Sequence, residues 1–591
     1  MRSIKIVMLI ALQLGISNTL LSQSKEKDWR YIPNGTMIHS DGYVDQPYIT
    51  TLDNGLWFCV YTTSAEHEGS KGQHIACRTS DDQGNSWSKA IRIEEPGMES
   101  ASWGVPYVTG YGRIYVFYDY NGDKIHELGE RKNIREDMLG WYCFKYSDNN
   151  GKSWSKRYRI PMRKTAVDHM NQWNGDVQIF WGIDKPKRVG NGCMFAFSKI
   201  GEYMLEYSDG WMYHCENIEI EKEAEKLRWK LLPDGEYGIR SPEWGDIQEE
   251  HNTVHMHNGN IYCIYRTTQG FLVISYSYDK GHSWSEPEPP VDYNGRALKN
   301  PRANPKIWKC ENGRYLLWYH HNSTRGFYNR NPAWISGGIE KEGKIIWTQP
   351  EMLLYEKDLV RGPSYPDLIE QDGNYWITET QKTEARIHQI PNDFLNTLWS
   401  QVDRCEPSTR NLCIDLSGES LQHTDSVKLP NLLPVKSSDG FTLTVRLRSN
   451  LDMDNGKIIV DSRDNSGKGF WMQASENNSI MFSVSDGENT SSWRSDPGII
   501  QTRSRMNQEV TVTLNYGPRI IQFITDGVVC DGKGSPFGWG RFNEAIEDIS
   551  TDWLRIDKTR KTITGVKFYD RPLMNSEVIG DYRYWKQHLN K

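Results

Sequence analysis

Glu250 and Arg266 are the pair whose types and spacing most directly suggest chemistry. Glu250 precedes a strand-like run through Thr253, His255 and Met256, which stops at Asn258-Gly259, a strong hairpin signal. The following run, Ile261 to Tyr265, ends in Arg266. The hairpin folds one strand back on the other, so the carboxylate and the guanidinium sit at the same end of adjacent strands and can face one cavity. A carboxylate there can take a proton, and a guanidinium can hold a carboxylated ligand through two parallel hydrogen bonds.

A third run, Leu272 to Tyr278, completes the meander and enters the turn Ser277-Tyr278-Asp279-Lys280-Gly281-His282-Ser283-Trp284. The same pattern, S-x-[DN]-x-G-x-S-W, recurs at Ser80 to Trp87 and at Ser147 to Trp154. Each position has a physical role: Asp or Asn binds amides of its own turn, Gly supplies positive φ, and Trp fills the space between neighbouring sheets. The copies start about one and two multiples of a 65-residue unit apart, and each unit holds short strands, as propeller blades do.

This turn resembles the Asp-box, or bacterial neuraminidase repeat, of the sialidase superfamily. The resemblance implies an all-β fold with a six-bladed propeller over residues 24–395, whose first strand, within Asp28 to His39, completes the last blade. The blades would begin near Gln46, Gly104, Val177, Glu249, Pro305 and Tyr365, with Gly343 to Trp347 as a degenerate closing turn of the fifth. Polar inserts at 64–72, 121–139, 163–174 and 234–248 would build a cleft on one face.

In sialidases a glutamate before an inner strand, a turn and an arginine at the next strand's end follow one another, as Glu250, Asn258-Gly259 and Arg266 do here. The last blade opens on a tyrosine, followed by Asp-Gly and a glutamate, like Tyr365, Asp372-Gly373 and Glu379. The resemblance implies Tyr365 as nucleophile, Glu250 as the base that takes its proton, and Glu379 as support for an arginine of a carboxylate clamp. A neutral tyrosine suits a sugar whose anomeric centre carries a carboxylate, which would repel an anionic nucleophile. The chain departs from the family where an Arg-Ile-Pro motif would stand: it has Asp45-Gln46-Pro47, so the first clamp arginine is missing. Arg266 and Arg302 are the clamp arginines proposed, and Glu66, His67 or Glu68 would protonate the leaving group. Asp45, Gln46, His74, His320 and Asp367 complete the polar candidates at strand starts and in the loops that follow.

The rest of the chain sets bounds. At 591 residues it should hold two or three domains. A net charge of −7 does not point to nucleic acid, and 23 Trp with 31 Tyr suit both propeller cores and sugar stacking. Arg2 and Lys5 followed by the apolar run Ile6 to Leu14 read as a signal peptide over residues 1–23, too short to span a bilayer. A secreted, periplasmic or surface location follows, with a glycan as partner. Most of the ten cysteines lie singly in β-rich runs, while Cys405 and Cys413 are close enough to pair. No spacing supports a metal site, and no cofactor is expected. Residues 396–412 read as a linker. Over residues 413–591, regular strands without helices indicate a two-sheet sandwich, and Gly565 to Val578 resembles the end of a laminin-G or concanavalin-like module.

The leading reading is an exo-acting glycoside hydrolase of sialidase type, acting on a terminal acidic sugar. A polysaccharide lyase built on His67, His74, His320, Tyr365 and Arg266, and a non-catalytic glycan-binding protein, are the alternatives.

Overall fold

The structure is a computed structural model that describes residues 27–589 apart from 131, 133, 204–205, 433, 449–453, 500–506 and 558–561. The expected signal peptide lies outside the described residues. The regular structure of the described chain is mostly β, and its antiparallel sheets follow one another in sequence.

Six sheets occupy residues 36–390. The first runs Tyr43–Thr51, Trp57–Ser64, His74–Ser80, Ile91–Arg92, and the second Ala101–Val108, Ile114–Tyr120, Trp141–Ser147, Tyr158–Arg159. The third is built on Gly192–Glu202 and Glu206–Cys215, the fourth on Gln248–His255, Ile261–Thr267 and Leu272–Ser277. The fifth holds Lys306–Lys309, Tyr315–Tyr319, Ala333–Lys341 and Lys344–Trp347, so the segment expected as a degenerate closing turn is a strand. The sixth orders Leu368–Gln371, Asn374–Thr380, Ala385–Ile390 and then Thr36–His39, the first strand of the described chain. The strand Tyr43–Thr51 packs on Ala101–Val108 to one side and on Asn374–Thr380 to the other, while Gln248–His255 packs on Gly192–Glu202 and Lys306–Lys309.

The recurring turns bind these sheets together as their residue types dictate. In the first, Ser80 Oγ accepts from Gly84 N at 2.8 Å, and Asp82 accepts from Ser86 N at 2.9 Å and Ser86 Oγ at 2.6 Å. Asn149 and Asp279 repeat the amide contact, to Ser153 and Ser283, each at 2.9 Å. Gly84, Gly151 and Gly281 hold φ of 83°, 82° and 94°, which other residues adopt only with strain. The tryptophans then reach the preceding sheet: Trp154 lies 5.8 Å from Phe58, and Trp284 packs among Met194, Ala196 and Met212.

Helix Asn392–Ser400 follows the sixth sheet, across the end of the expected propeller and the start of the expected linker. Pro391 precedes it, and Phe394, Leu395, Leu398 and Trp399 make its buried stripe. Beyond it, a seven-stranded and a six-stranded sheet share a second apolar core, in which Phe441 lies 4.7 Å from Phe470 and 5.1 Å from Phe568. Unlike the helix-free reading of this part, Asn575–His588 is a helix, with Val578 and Ile579 buried beneath it. Cys405 and Cys413 are both free; Cys413 is exposed, on a strand paired with Ile563–Tyr569.

The two parts meet through a small apolar patch, in which Trp334 and Met352 pack against Ile520 and Trp539, and through polar contacts. Glu351, from the strand Glu351–Leu354 that pairs with Ala333–Lys341 in the fifth sheet, accepts from the amides of Asn575 and Ser576 at 3.1 and 2.6 Å and so caps the last helix. Arg296 pairs with Asp496 at 3.2 Å, and Arg541 donates to Asn331 O at 2.8 Å.

Candidate active site

The site is built at one structural irregularity repeated around the sheets. In three first strands the pairing register breaks at the same place: between Asp45 and Tyr48, between Ser102 and Val105, and between Glu249 and Asn252. The residue after each break's start holds left-handed backbone, with φ of 52° at Gln46, 62° at Trp103 and 58° at Glu250. Tyr365, just ahead of Leu368–Gln371, holds φ of 46°. A bulge re-aims the side chain it carries, and non-glycine residues at positive φ persist only where their surroundings impose it. Here Ser198 Oγ accepts the Glu250 amide at 2.9 Å, Asn304 Oδ1 accepts the Tyr365 amide at 3.0 Å, and Asn252 bridges Glu250 O and Pro305 O.

So held, Tyr365 donates its hydroxyl to Glu250 Oε1 at 2.7 Å. Arg266 Nη1 stands 2.9 Å from the same oxygen, and its Nε and Nη2 grip Glu249 Oε2 at 2.9 and 2.7 Å. Burial raises the pKa of Glu250, against the pull of Arg266 and the Tyr365 hydrogen bond. Burial, then the Glu250 charge, raises that of Tyr365 well above its ordinary value. Tyr365 is therefore a phenol beside a poised acceptor.

These groups open onto a cavity of about 680 Å³ whose wall also includes Trp103, Trp181, Arg135, Arg330 and Lys382. Glu68, from the 64–72 insert, and Arg135, from the 121–139 insert, reach the cavity; the inserts at 163–174 and 234–248 contribute nothing to its wall.

Arg330 is not among the residues that the sequence singles out. It donates to Phe327 O at 2.9 Å, Ser364 Oγ at 2.9 Å and Arg302 O at 3.1 Å, all neutral acceptors. Among the described residues no carboxylate pairs with it, so its charge remains for a ligand. The one signal the sequence offers for it is an arginine at the end of a polar segment, 320–332, just before a strand.

Arg302, expected in the clamp, lies behind the wall: its Nη2 donates to Glu249 Oε1 at 2.6 Å, so Glu249 holds two arginines at once. Glu68 lines the cavity but is held ionised. Burial opposes this, yet Lys382 at 3.4 Å and Arg135 at 3.1 Å, with Arg330 beyond, bring its pKa down to about 2. In this arrangement it has no proton to give a leaving group. Glu66 and His67 are exposed and off the wall, and His74 binds Gly72 O at 2.8 Å, also off the wall.

Asp45 is buried and accepts from Tyr43 at 2.9 Å and from Lys382 at 2.5 Å; the Lys382 ammonium also lies 4.5 Å from the Tyr365 ring centre. Lys382, from the loop between two strands of the sixth sheet, thus sits against the aspartate that stands where the missing arginine would be. Gln46 is fully buried, with neither polar side-chain atom hydrogen-bonded. His320 is buried, both ring nitrogens are unpartnered, and burial brings its pKa down to about 3, so it is neutral. Asp367 accepts from Ile49 N at 2.8 Å and from Lys185 at 2.7 Å, a structural role behind the site. Glu379 supports no arginine of the cavity. It is fully buried, both oxygens lack hydrogen bonds, and burial lifts its pKa to about 8 against the pull of Arg386. Among the described residues no group of three or more His, Cys, Asp or Glu side chains could hold a metal ion.

Solved structures similar to the chain include Trypanosoma rangeli sialidase in complex with 2,3-difluorosialic acid, as a covalent intermediate. It is 13% identical, with a TM-score of 0.43, covering 93% of this chain and 94% of that one. The intramolecular trans-sialidase from Ruminococcus gnavus in complex with oseltamivir carboxylate is 13% identical, with a TM-score of 0.44, covering 62% of this chain and 99% of that one. A mutant of NanB sialidase from Streptococcus pneumoniae is 12% identical, with a TM-score of 0.42, covering 61% of this chain and 71% of that one. No curated protein matches the chain. The repeated turns and the sheets they join fall largely within residues 55–377, the span matched by the BNR repeat-like domain family, and the chain belongs to that family.

Proposed function

We propose that the protein is a glycoside hydrolase of sialidase type, acting on a terminal sugar that bears a carboxylate. The hydrogen bond between Tyr365 and Glu250, at 2.7 Å in a cavity lined by Arg266 and Arg330, carries this reading. The six sheets are read as the blades of a six-bladed propeller, and the last two as a laminin-G-like sandwich appended to it. Secretion through the signal peptide over residues 1–23 would bring the enzyme to extracellular or periplasmic glycans.

In this mechanism Arg330 and the Nη1 edge of Arg266 take the sugar carboxylate. Tyr365 Oη attacks the anomeric carbon as its proton passes to Glu250 and the glycosidic C–O bond breaks. Water then attacks the tyrosyl-linked sugar as Glu250 returns its proton to the departing Tyr365 oxygen, the proton that water releases neutralises the hydroxide left by the first step, and hydrolysis is complete with retention. Glu68 is ionised, so the departing oxygen takes its proton from water, and substrates with acidic leaving groups should react fastest. The lyase reading would rest on histidines, and His67, His74 and His320 all stand off the cavity wall.

The test is incubation with 2,3-difluorosialic acid and with aryl glycosides of several acidic sugars, followed by peptide mass analysis. The reading requires turnover of at least one carboxylated glycoside and a sugar adduct on Tyr365. No turnover of any acidic glycoside and no adduct would overturn it.

A further inference from the structure

At the other end of the same inner strands, the segment 184–187, Gln248–His255 and Lys306–Lys309 enclose a second cavity of about 270 Å³. Its charged and titratable lining is Asp184, Lys185, Lys187, His255, Lys306 and Lys309. Four ammonium groups therefore converge on one carboxylate.

The partners of each are specific. Lys187 pairs with Asp184, whose other oxygen accepts from Ala196 N at 2.9 Å and Thr253 Oγ1 at 2.7 Å. Lys185 pairs with Asp367 behind the wall at 2.7 Å. Lys306 and Lys309 have no carboxylate partner among the described residues. Lys309 donates to His255 O at 3.1 Å from an exposed position. Lys306 is 2% exposed, and its ammonium, with three protons to donate, meets one acceptor, Ile183 O, and the face of Tyr48 at 4.2 Å. His255 Nε2 also lacks a partner.

A buried ammonium with two unmet donors is costly unless something anionic completes it. Burial first, then repulsion from Lys187 and Lys185, brings the pKa of Lys306 to about 7 against the attraction of Asp184 and Asp367. With Lys185 and Lys187 each matched by an aspartate, two positive charges are left over. The geometry points to a binding site for a small divalent oxyanion, sulfate or hydrogen phosphate, held by Lys306, Lys309 and His255. Such an ion would neutralise both ammoniums and tie the 184–187 segment to the fourth and fifth sheets from within. The inference does not depend on the enzymatic reading, since it uses none of the residues of the Tyr365 cavity.

The test is thermal unfolding and titration calorimetry of the whole protein with inorganic sulfate and, separately, inorganic phosphate at pH 6.5, where the Lys306 ammonium is charged, each against sodium chloride at equal ionic strength. A saturable rise in melting temperature with either dianion above the chloride control is expected, and the tighter of the two identifies the ion. Lys306→Met and the exposed-site variant Lys309→Gln should each weaken binding on the order of tenfold or more, the effect of losing a charge-assisted hydrogen bond. A response to both dianions no greater than to chloride would overturn the proposal. So would full affinity retained in Lys309→Gln, a variant on the surface whose folding is not in question.

Discussion

Tyr365 and Glu250 meet at 2.7 Å from the sixth and fourth sheets, and both hold left-handed backbone, at φ of 46° and 58°. A bulge re-aims the side chain it carries, and here it directs Glu250 to Tyr365. The strain of two non-glycine residues at positive φ, of order 1–3 kcal/mol each, is carried by the hydrogen bonds from Ser198, Asn304 and Asn252. This is where sequence, backbone and proposed chemistry coincide.

Removing the hydroxyl should therefore separate chemistry from folding. Tyr365→Phe keeps the ring and its packing, so its melting temperature should stay near wild type while turnover of an acidic aryl glycoside falls below detection. Glu250→Gln keeps the shape but not the proton acceptor, and should cost on the order of 10²–10⁴ in kcat. Full activity in either variant would exclude the proposed roles.

The arginines should divide by role. Arg330 has no carboxylate partner among the described residues, so Arg330→Ala should raise KM for a carboxylated glycoside about tenfold or more, with little effect on melting. Arg302 is bonded to Glu249 at 2.6 Å in the interior. Arg302→Ala should destabilise by about 3 kcal/mol by leaving that carboxylate with one partner instead of two. Steady-state kinetics and denaturant titration of the two variants read this directly; the reverse pattern would put Arg302 on the ligand.

Glu379 predicts a pH dependence of stability. Its native pKa is lifted to about 8 by burial, against an ordinary value of 4.5. Between those values the native state binds a proton that the unfolded state has released, so stability falls as pH rises through this window. The loss should reach a few kcal/mol by about pH 8. Glu379→Gln removes the ionisation, so it should raise the melting temperature near pH 8 and change it little at pH 4.5. Equal effects at both pH values would show that the carboxyl does not titrate as its burial requires.

How far the site was legible follows from the range of the forces involved. Glu250 and Arg266 were readable because one hairpin, Asn258-Gly259, places them, and a hairpin is written in adjacent residues. Arg330 was not, because it ends an irregular segment with no periodicity to mark its direction. Glu68 was found as a residue, but its ionisation depends on Arg135 and Lys382, which arrive from other parts of the chain. The same holds for the fold. The three turns announced themselves through Asp or Asn, Gly and Trp at fixed positions. Helix Asn392–Ser400 carried a helical stripe at Phe394, Leu395, Leu398 and Trp399 that the reading as sheet-end and linker passed over. Helix Asn575–His588 shows a weaker signal, since its buried face includes small and polar residues such as Gly580, Ser576 and Asp581.

That last helix leads to a prediction about the two parts of the chain. The C-terminal strands have their own core around Phe441, Phe470, Phe482 and Phe568, far larger than the four-residue apolar patch of Trp334, Met352, Ile520 and Trp539 that joins them to the first part. Residues 406–591 should therefore fold alone, with a β-type circular dichroism spectrum and a cooperative melt. One element should be weaker in that fragment. The amides of Asn575 and Ser576 are capped by Glu351, which belongs to the first part and whose pKa burial raises to about 7. Without it the first turn of the helix loses its acceptor, a loss of about 1 kcal/mol. Hydrogen exchange at Ser576 to Val578 should be faster in the fragment than in the whole protein, while exchange in Gly440–Arg448 stays slow. In the whole protein Glu351→Ala should reproduce that local opening without unfolding either core. A fragment that stays unfolded would show that the second core needs the first, and unchanged exchange in Glu351→Ala would remove the cap as the link between them.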